Sequence, residues 1–124
     1  MAYKEILYEH KGEFVTITMN RPERRNALSS AMMREMTQAV NEAAASSARG
    51  IIIAGNGSVY SAGHDFHEIA GHDLKDVRDL LWLSTGLHSA MQKAPQPVLA
   101  RVQGLATAAG CQLVASADLA VASD

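Results

Sequence analysis

The chain has 124 residues, 48% of them hydrophobic and 19% charged, with a formal net charge of -2 at pH 7. We expect one globular domain over residues 1–124, or one piece of a larger unit, because this length is close to the usual domain size. A nearly neutral charge without runs of like sign gives no long-range attraction for nucleic acid or an anionic membrane, so we expect neither as a partner.

The cellular compartment is predicted from what the chain lacks. Its single cysteine, Cys111, cannot form an internal disulfide, which fits a reducing environment. The N-terminal stretch MAYKEILYEHKG has no apolar core of the secretory type. The longest uncharged stretch, residues 102–117, is short for a membrane span and contains polar side chains. We therefore expect a cytoplasmic protein.

The first half of the chain predicts a hairpin, a helix and a buried strand. EILYEH and FVTITM are strand-like, and Lys11-Gly12-Glu13 between them is typical of a hairpin turn. Ser29 or Ser30 is expected to cap a helix that ends near Gly50. The apolar run GIIIAG then predicts a parallel strand covered on both faces.

The second half predicts a second helix and further strands. Asp73 is expected to cap a helix that Pro95 and Pro97 end. Its predicted apolar face consists of Val77, Leu80, Leu81, Leu87 and Met91. PVLARVQG is the next predicted strand, the small-residue segment that follows is a helix, and DLAVAS is a last strand that no helix covers.

The predicted order ββαβαβαβ indicates an α/β fold with right-handed crossovers. A ligand site is then expected at the carboxyl ends of the parallel strands. Two loops qualify by position, and we call residues 55–66 the first glycine loop and residues 104–110 the second glycine loop.

Each glycine loop follows an apolar strand and leads to a helix, so each can present unpaired backbone N–H groups. Two such donors that face each other form an oxyanion hole, which polarises a carbonyl and stabilises an enolate. The small residues Ala106, Ala108, Ala109 and Gly110 would let a ligand approach the backbone closely. A tightly packed helix without a ligand explains the same residues, so spacing alone leaves both interpretations open.

Three segments carry a family resemblance, and together they span nearly the whole chain: NRPERRNALS, SVYSAGHDF and VQGLATAAGCQLVASADLAVAS. In this order they resemble the signature segments of the enoyl-CoA hydratase/isomerase (crotonase) superfamily. GLATAAGCQLVAS is most similar to the branch called enoyl-CoA hydratase domain-containing protein three, and SAGHD also resembles methylmalonyl-CoA decarboxylases.

The resemblance implies a crotonase-like fold of repeated ββα units that stops before the C-terminal helical part of the family. It implies acyl-CoA or enoyl-CoA substrates, with coenzyme A as part of the thioester and no prosthetic group. Two backbone N–H donors for the thioester oxygen would fall on His64, after SAG, and on Ala109, the middle residue of AAG. Since relatives assemble into trimers, often paired into hexamers, a homo-oligomer is expected.

The same resemblance assigns residues to coenzyme binding. RPERRN matches the segment that lies along the CoA nucleotide, where Arg24 or Arg25 would meet a phosphate because guanidinium suits phosphate oxygens. Ala62, Gly63 and Gly110 complete this set.

Gln112 departs from the family pattern. Typical hydratases read approximately GGGCEL here, and the glutamate acts with a second glutamate further along the chain to activate water. A glutamine amide can position water or substrate but cannot exchange protons as a carboxylate does at neutral pH. Because general acid–base catalysis contributes about 10²–10⁴-fold, hydration should be severely weakened while binding survives. Isomerisation, decarboxylation and hydrolysis stay open as reactions.

Several other side chains invite a functional interpretation. The histidines 64, 67 and 72 match no compact zinc spacing, so we expect no metal. The His64 imidazole is an alternative acid or base, since it would sit at the thioester. Asp65 is expected to cap a short helix, Cys111 to be an inert core thiol, and Asp118 to be a buried structural carboxylate.

The sequence therefore favours a CoA-thioester enzyme of the enoyl-CoA hydratase/isomerase type, a lyase or isomerase of fatty acid metabolism. Two alternatives remain. One is a catalytically silent acyl-CoA-binding or regulatory module, and the other is a non-functional truncated product.

Overall fold

The computed structural model describes residues 2–124, and this part of the chain forms seven strands and three α-helices. In chain order they are β1 (Ile6–Lys11), β2 (Phe14–Met19), α1 (Ser30–Ala44), β3 (Gly50–Gly55), β4 (Val59–Ser61), α2 (Leu74–Lys93), β5 (Val98–Val102), β6 (Leu105–Ala106), α3 (Ala109–Ala115) and β7 (Leu119–Ala122). Short 3-10 helices occupy Pro22–Arg24 and Phe66–Glu68. The predicted α/β class is confirmed.

The strands form two separate sheets. The main sheet has the order β1-β2-β3-β5-β7, in which β1 and β2 are antiparallel and all other neighbours are parallel. Strands β4 and β6 pair in parallel as a second, two-stranded sheet. The predicted order ββαβαβαβ was wrong in omitting these two strands, each of which lies inside one of the predicted glycine loops. Their three and two residues are too few to give a periodic pattern, and only their mutual pairing makes them strands.

Both predicted helix starts are confirmed by capping geometry. Ser29, rather than Ser30, caps α1, because its side chain accepts a hydrogen bond from the backbone N–H of Met32. Asp73 caps α2 and accepts from the backbone N–H of Asp76 at 2.9 Å. Each cap satisfies a donor that has no intrahelical partner.

The predicted end of α1 near Gly50 was wrong, because the helix ends at Ala44. The side-chain amide of Gln96 donates to the carbonyl oxygens of Ala43, Ala44 and Ala48. These bonds satisfy carbonyls that a continuing helix would otherwise use, so the chain turns here and enters β3.

The predicted apolar face of α2 is partly wrong. Leu80, Leu87 and Met91 are buried as expected, but Leu81 is 49% exposed. Buried Ser84 takes the next core-facing turn after Leu80, at the spacing of four that keeps residues on one helix face. Leu81 lies about 100° around the helix from that face and therefore points to solvent.

The core lies between the main sheet and the helices. Ile17 and Met19 of β2, Ile51 and Ile53 of β3, and Met36 of α1 are all fully buried. Met33 of α1 and Met91 of α2 are buried as well. The two glycine loops follow β3 and β5 of this buried sheet.

The end of the chain is open. All four residues of β7 are exposed, and Leu119 and Val121 have 63% and 58% of their surface accessible. Asp118 was predicted to be buried but is exposed, since nothing covers this edge of the sheet within residues 2–124. Its structural role is nevertheless confirmed, because its carboxylate accepts a hydrogen bond from the backbone N–H of Val98 at 2.8 Å.

Candidate functional site

The two glycine loops touch each other at Gly63. This glycine has a φ of +100°, and a Cβ placed on it would lie 3.0 Å from the Cβ of Ala108 and 3.2 Å from the backbone nitrogen of Ala109. A side chain at this position would therefore push the loops apart. Glycine is required here both for its positive φ and for the close approach.

Pairing of β4 with β6 holds the two loops together. Val59 is opposite Leu105, Ser61 is opposite Ala106, and the backbone N–H of Thr107 donates to the carbonyl of Ser61 at 3.1 Å. The Gln103 amide adds two hydrogen bonds, to the carbonyl oxygens of Gly55 at 2.6 Å and Gly57 at 2.8 Å. The loops are thus fixed by backbone and amide contacts on both sides of β6.

The predicted donor His64 presents its backbone N–H away from the scaffold. Leu28 and His64 form an isolated parallel bridge, in which Leu28 donates to the carbonyl of Gly63 and accepts from the N–H of Asp65. In such a bridge the N–H of the middle residue points to the opposite side. Within residues 2–124 this N–H has no hydrogen-bond acceptor.

The second predicted donor, Ala109, is the first residue of α3. Its N–H belongs to the helix-terminal donors that have no intrahelical partner. No other group among the described residues accepts from it, whereas the N–H of Gly110, the next residue, donates to the carbonyl of Thr107 at 2.8 Å. Ala109 itself is buried, so the donor lies in a desolvated position.

Backbone strain accompanies this arrangement. Ala108, which precedes α3, has φ +52° and ψ -124°, a conformation that favours glycine. Arg25 and Asn26 also have positive φ angles, of 53° and 51°. Within residues 2–124, the three residues that combine a side chain with a positive φ therefore all line one cleft or lie next to it.

The cleft has a volume of about 610 Å³ and is lined by residues of both glycine loops and of the arginine-rich segment. Four of the predicted site residues line it together: Arg24, Arg25, Ala62 and His64. Both arginines are exposed at its edge, so the structure does not choose between them. Gly63 and Gly110 lie behind the lining, where they let the loops approach.

Gly110 is buried and packs against the backbone of Ser61. A Cβ at this position would overlap the Ser61 carbonyl group. The small residue therefore serves loop packing here, one of the two interpretations that the sequence left open.

Asn26 is a residue of the site that the sequence did not predict. Its fully buried side-chain amide donates to the carbonyl oxygens of Asn56, Val59 and Tyr60, and accepts from the N–H of Arg21. One side chain thus joins the arginine-rich segment to the first glycine loop. The only sequence signal was a polar residue in a loop, which does not distinguish this role from a solvated one.

Asp65 caps the second 3-10 helix, as predicted, by accepting from the N–H of His67 at 3.0 Å. It is buried and lies 3.9 Å from the guanidinium of Arg21 and 3.8 Å from that of Arg24. The carboxylate therefore lies beside one arginine of the cleft lining, Arg24.

Gln112 lies one turn into α3, where its backbone N–H donates to the carbonyl of Ala108. It is exposed and does not line the cleft. Cys111 was predicted to be a core thiol, which was wrong, because it is also exposed on α3. The short helix buries Ala109, Gly110 and Leu113 against the first glycine loop and the core, which turns Cys111 outward.

Two half-buried imidazoles lie near the site. Burial lowers the pKa of His64, and burial together with the charge of His64 lowers the pKa of His88. Nδ1 of His88 lies 2.6 Å from Oγ of Ser116 at the end of α3. Nδ1 of His64 and Nε2 of His88 are buried without a hydrogen-bond partner. The sequence predicts the His64 ring as an alternative acid or base but gives no signal for His88, whose interaction with His64 depends on the fold.

No cluster of three or more histidine, cysteine, aspartate or glutamate side chains is arranged to hold a metal ion within residues 2–124. No helix in that range is long and apolar enough to cross a membrane.

Comparison with known proteins supports the predicted resemblance. The family model for enoyl-CoA hydratase/isomerase matches residues 9–124. Enoyl-CoA hydratase domain-containing protein 3, mitochondrial, from Rattus norvegicus is 43% identical over 110 residues, which are 87% of this chain and 37% of that protein.

Solved structures agree. An enoyl-CoA hydratase from Mycobacterium smegmatis superposes with a TM-score of 0.92 at 41% identity, covering 96% of this chain and 48% of that one. Human enoyl Coenzyme A hydratase domain-containing protein 3 gives 0.92 at 35% identity, with the same coverage. The chain thus spans less than half the length of these relatives, and its fold is the corresponding part of a crotonase-like fold. It belongs to the enoyl-CoA hydratase/isomerase family.

Proposed function

We propose that this chain binds an acyl-CoA thioester and stabilises its enolate, with the backbone N–H groups of His64 and Ala109 as the two donors to the thioester oxygen. The observation that carries the proposal is the contact of the two glycine loops at Gly63, beside two N–H groups that lack an acceptor within residues 2–124. Because the relatives are more than twice as long, the activity of a complete family member is part of this proposal.

The chemistry follows from where negative charge develops. Removal of a proton, or loss of a group, at the carbon next to the thioester carbonyl moves an electron pair onto the carbonyl oxygen. Fixed N–H donors stabilise that oxygen more than the neutral carbonyl, and losing one donor typically costs about 2.7–4 kcal/mol in the transition state. Burial of Ala109 strengthens such a donor because less water competes for the oxyanion.

The coenzyme would lie along the arginine-rich edge of the cleft. Arg24 and Arg25 are exposed there, and Asp65 holds Arg24 at 3.8 Å. Guanidinium groups at this edge suit the phosphates of coenzyme A, which enters as part of the substrate. Exposed Gln112 is proposed to position water or substrate, since its amide cannot transfer protons.

A backbone donor can be tested by removing one N–H. Ala109 occupies the first position of α3, where proline is tolerated. A glycine at position 108 can keep the positive φ that Ala108 has in the parent. We would compare Ala108→Gly with Ala108→Gly/Ala109→Pro by calorimetric titration. One ligand is an acyl-CoA analogue with methylene in place of the thioester sulfur, and the other is a thioether lacking the carbonyl oxygen.

The carbonyl analogue should bind the proline variant roughly 3- to 10-fold more weakly, as expected for one lost hydrogen bond. Binding of the thioether should be unchanged. Leu74→Pro, at the exposed first position of α2, is the matched control and should not affect either ligand. Equal weakening of both ligands, or no binding of either to the parent chain, would contradict the proposal.

A silent acyl-CoA-binding module is the second candidate, and the amide of Gln112 at the family's carboxylate position favours it. Gln112→Glu discriminates the two, tested in this chain and in a longer chain carrying the family's C-terminal half. If the parent shows no hydratase turnover and the Gln112→Glu variant does, the result supports the silent module. Turnover of an acyl-CoA by the glutamine form itself supports the enzyme.

We also propose that the chain forms a homo-oligomer, because the exposed leucine and valine of β7 leave an apolar edge uncovered. Light scattering coupled to gel filtration should give a mass above 13.3 kDa. A monodisperse monomer would refute it.

A further inference from the structure

Four charged side chains of alternating sign form a row that ends at the cleft. Nε of Arg21 lies 2.9 Å from Oε2 of Glu5, and Nη1 of the same arginine lies 3.9 Å from Oδ2 of Asp65. Nη2 of Arg24 lies 3.8 Å from the other oxygen of that aspartate, Oδ1. Arg24 is the most exposed of the four side chains and lines the cleft. The row therefore connects the residue before β1 to the edge where the coenzyme is proposed to lie.

Arg21 is shared between two carboxylates. It faces Glu5 with Nε and Asp65 with Nη1, two nitrogens of one guanidinium. Its backbone is fixed as well, since its N–H donates to the side chain of Asn26 at 2.9 Å. A planar guanidinium can face two carboxylates at once, whereas the compact ammonium of lysine is a single point of charge. Lysine at this position could therefore not replace both contacts.

Asp65 is in turn shared between two arginines. Its side chain is only 8% exposed, and a carboxylate so far from water requires a nearby cation. Within residues 2–124, Arg21 and Arg24 are the cations that lie within 4 Å of it. The more of its charge Arg21 compensates, the less strongly Asp65 attracts Arg24. An Arg24 guanidinium that is attracted less strongly is freer to bind an anion in the cleft.

We propose that Arg21 is a positioning residue, which determines how strongly Arg24 binds a phosphate of coenzyme A. Arg21 compensates the charge of Asp65 and so leaves Arg24 available at the edge of the cleft. Glu5 opposes this effect, because from 2.9 Å it attracts the guanidinium that faces Asp65 at 3.9 Å. This inference rests on the proposed function, and it assigns the phosphate to Arg24 rather than to Arg25.

The test is calorimetric titration with the acyl-CoA analogue that has methylene in place of the thioester sulfur. Glu5→Gln should bind the analogue about 2- to 5-fold more tightly than the parent, the range of a partly exposed ion pair, because Arg21 then turns to Asp65. Arg21→Lys should bind it about 2- to 5-fold more weakly, because an ammonium that stays at Glu5 leaves Asp65 to attract Arg24 alone.

Glu13 and Arg49 provide the matched control pair, since they form an exposed ion pair at 3.4 Å and do not line the cleft. Glu13→Gln and Arg49→Lys should bind the analogue like the parent. Arg21→Lys also keeps the net charge of the chain. A long-range effect of charge alone would therefore leave the affinity of Arg21→Lys unchanged.

A second set of variants carries Arg24→Gln, which removes the end of the row. In this background neither Glu5→Gln nor Arg21→Lys should change the affinity further, because both act through Arg24. A purely structural role of Arg21 would weaken binding to the same extent with and without Arg24. The double-mutant comparison therefore separates positioning from a general loss of structure.

The outcomes separate this inference from the proposed function. No binding of the analogue by the parent overturns the proposed function, and this inference with it. If the parent binds, an unchanged affinity of Glu5→Gln, or equal effects with and without Arg24, overturns the inference alone. Should Arg21→Lys not fold, Glu5→Gln decides, because an affinity equal to or below that of the parent contradicts the proposal.

Discussion

At the scale of single residues, the site is held by conformations that most side chains avoid. Ala108 has a positive φ immediately before α3, and a backbone angle of this kind costs of order 1–3 kcal/mol. The strain persists because the contact with Gly63 and the first turn of α3 fix the chain on both sides. The strained backbone of Ala108 therefore lowers the stability of the protein at the position where the two glycine loops meet.

Ala108→Gly should raise the free energy of unfolding by about 1 kcal/mol, because relief of strain exceeds the added chain entropy of glycine. Urea unfolding followed by circular dichroism would measure it. Ala115→Gly, at an exposed position of the same helix, is the matched control and should lower stability by about 0.5–1 kcal/mol. A destabilising effect at both positions would show that Ala108 is unstrained.

Asn26→Ala should lower the free energy of unfolding by at least about 2 kcal/mol. The change leaves the buried carbonyl oxygens of Val59 and Tyr60 without their donor, and unsatisfied buried groups cost about 1–3 kcal/mol each. Asn41→Ala on the exposed side of α1 is the control and should be neutral within about 0.5 kcal/mol. Equal urea midpoints for the two variants would mean that Asn26 does not hold the loop.

At the scale of elements, small residues have opposite roles in α2 and α3. Gly86 of α2 faces open space, since a Cβ there would meet no atom within 4 Å. Gly110 of α3 packs directly on the backbone of Ser61, whose carbonyl carbon would lie 2.9 Å from an added Cβ. The first glycine only weakens its helix, whereas the second permits the helix to reach β4.

Alanine substitutions should therefore change stability in opposite directions. Gly86→Ala should stabilise the protein by about 0.5–1 kcal/mol through helix propensity. Gly110→Ala should destabilise it by about 2 kcal/mol or more, because backbone atoms cannot move aside as a flexible side chain can. Thermal melts of both variants would show this, and an unchanged melting temperature for Gly110→Ala would contradict the packing argument.

The elements that could be predicted from the sequence are those that depend on residues close together in the chain. The caps Ser29 and Asp73 and the apolar run of β3 follow from neighbouring residues, and each lies where it was expected. Strands β4 and β6 could not be predicted, because each is a strand only by its pairing with the other, which is distant in sequence. The backbone donors came from the family resemblance, whereas Asn26 and His88 depend on contacts with residues far along the chain, for which a single sequence gives no signal.

At the scale of the whole molecule, the two half-buried histidines connect stability to pH. In the folded state the pKa values of His64 and His88 lie below the ordinary value of 6.5. Below pH 6.5 the unfolded chain therefore binds protons that the folded chain excludes, which favours unfolding. Above this pH both states are neutral at these rings, and the contribution to stability is fully present.

The free energy of unfolding should accordingly fall as the pH is lowered from 7.5 to 5.5. Urea titrations across this window should show a shallower slope for a His64→Gln/His88→Gln double variant. His10→Gln, an exposed histidine of β1, should keep the slope of the parent. A parent whose stability does not change over this window would contradict the assigned direction of both shifts.

The two hydrogen bonds that Gln103 donates to the first glycine loop affect the order in which the site folds. These hydrogen bonds join residues that are separated by 46 and 48 positions in the sequence. The pairing of β4 with β6 closes a segment of similar length. Closing a loop of this size costs about 3 kcal/mol of chain entropy before any contact compensates for it. The helix α2 within that segment relies on local contacts and can form early, whereas the two donors meet only when the long loop closes. Binding competence should therefore develop in the last kinetic phase of refolding, after most of the helical signal has returned.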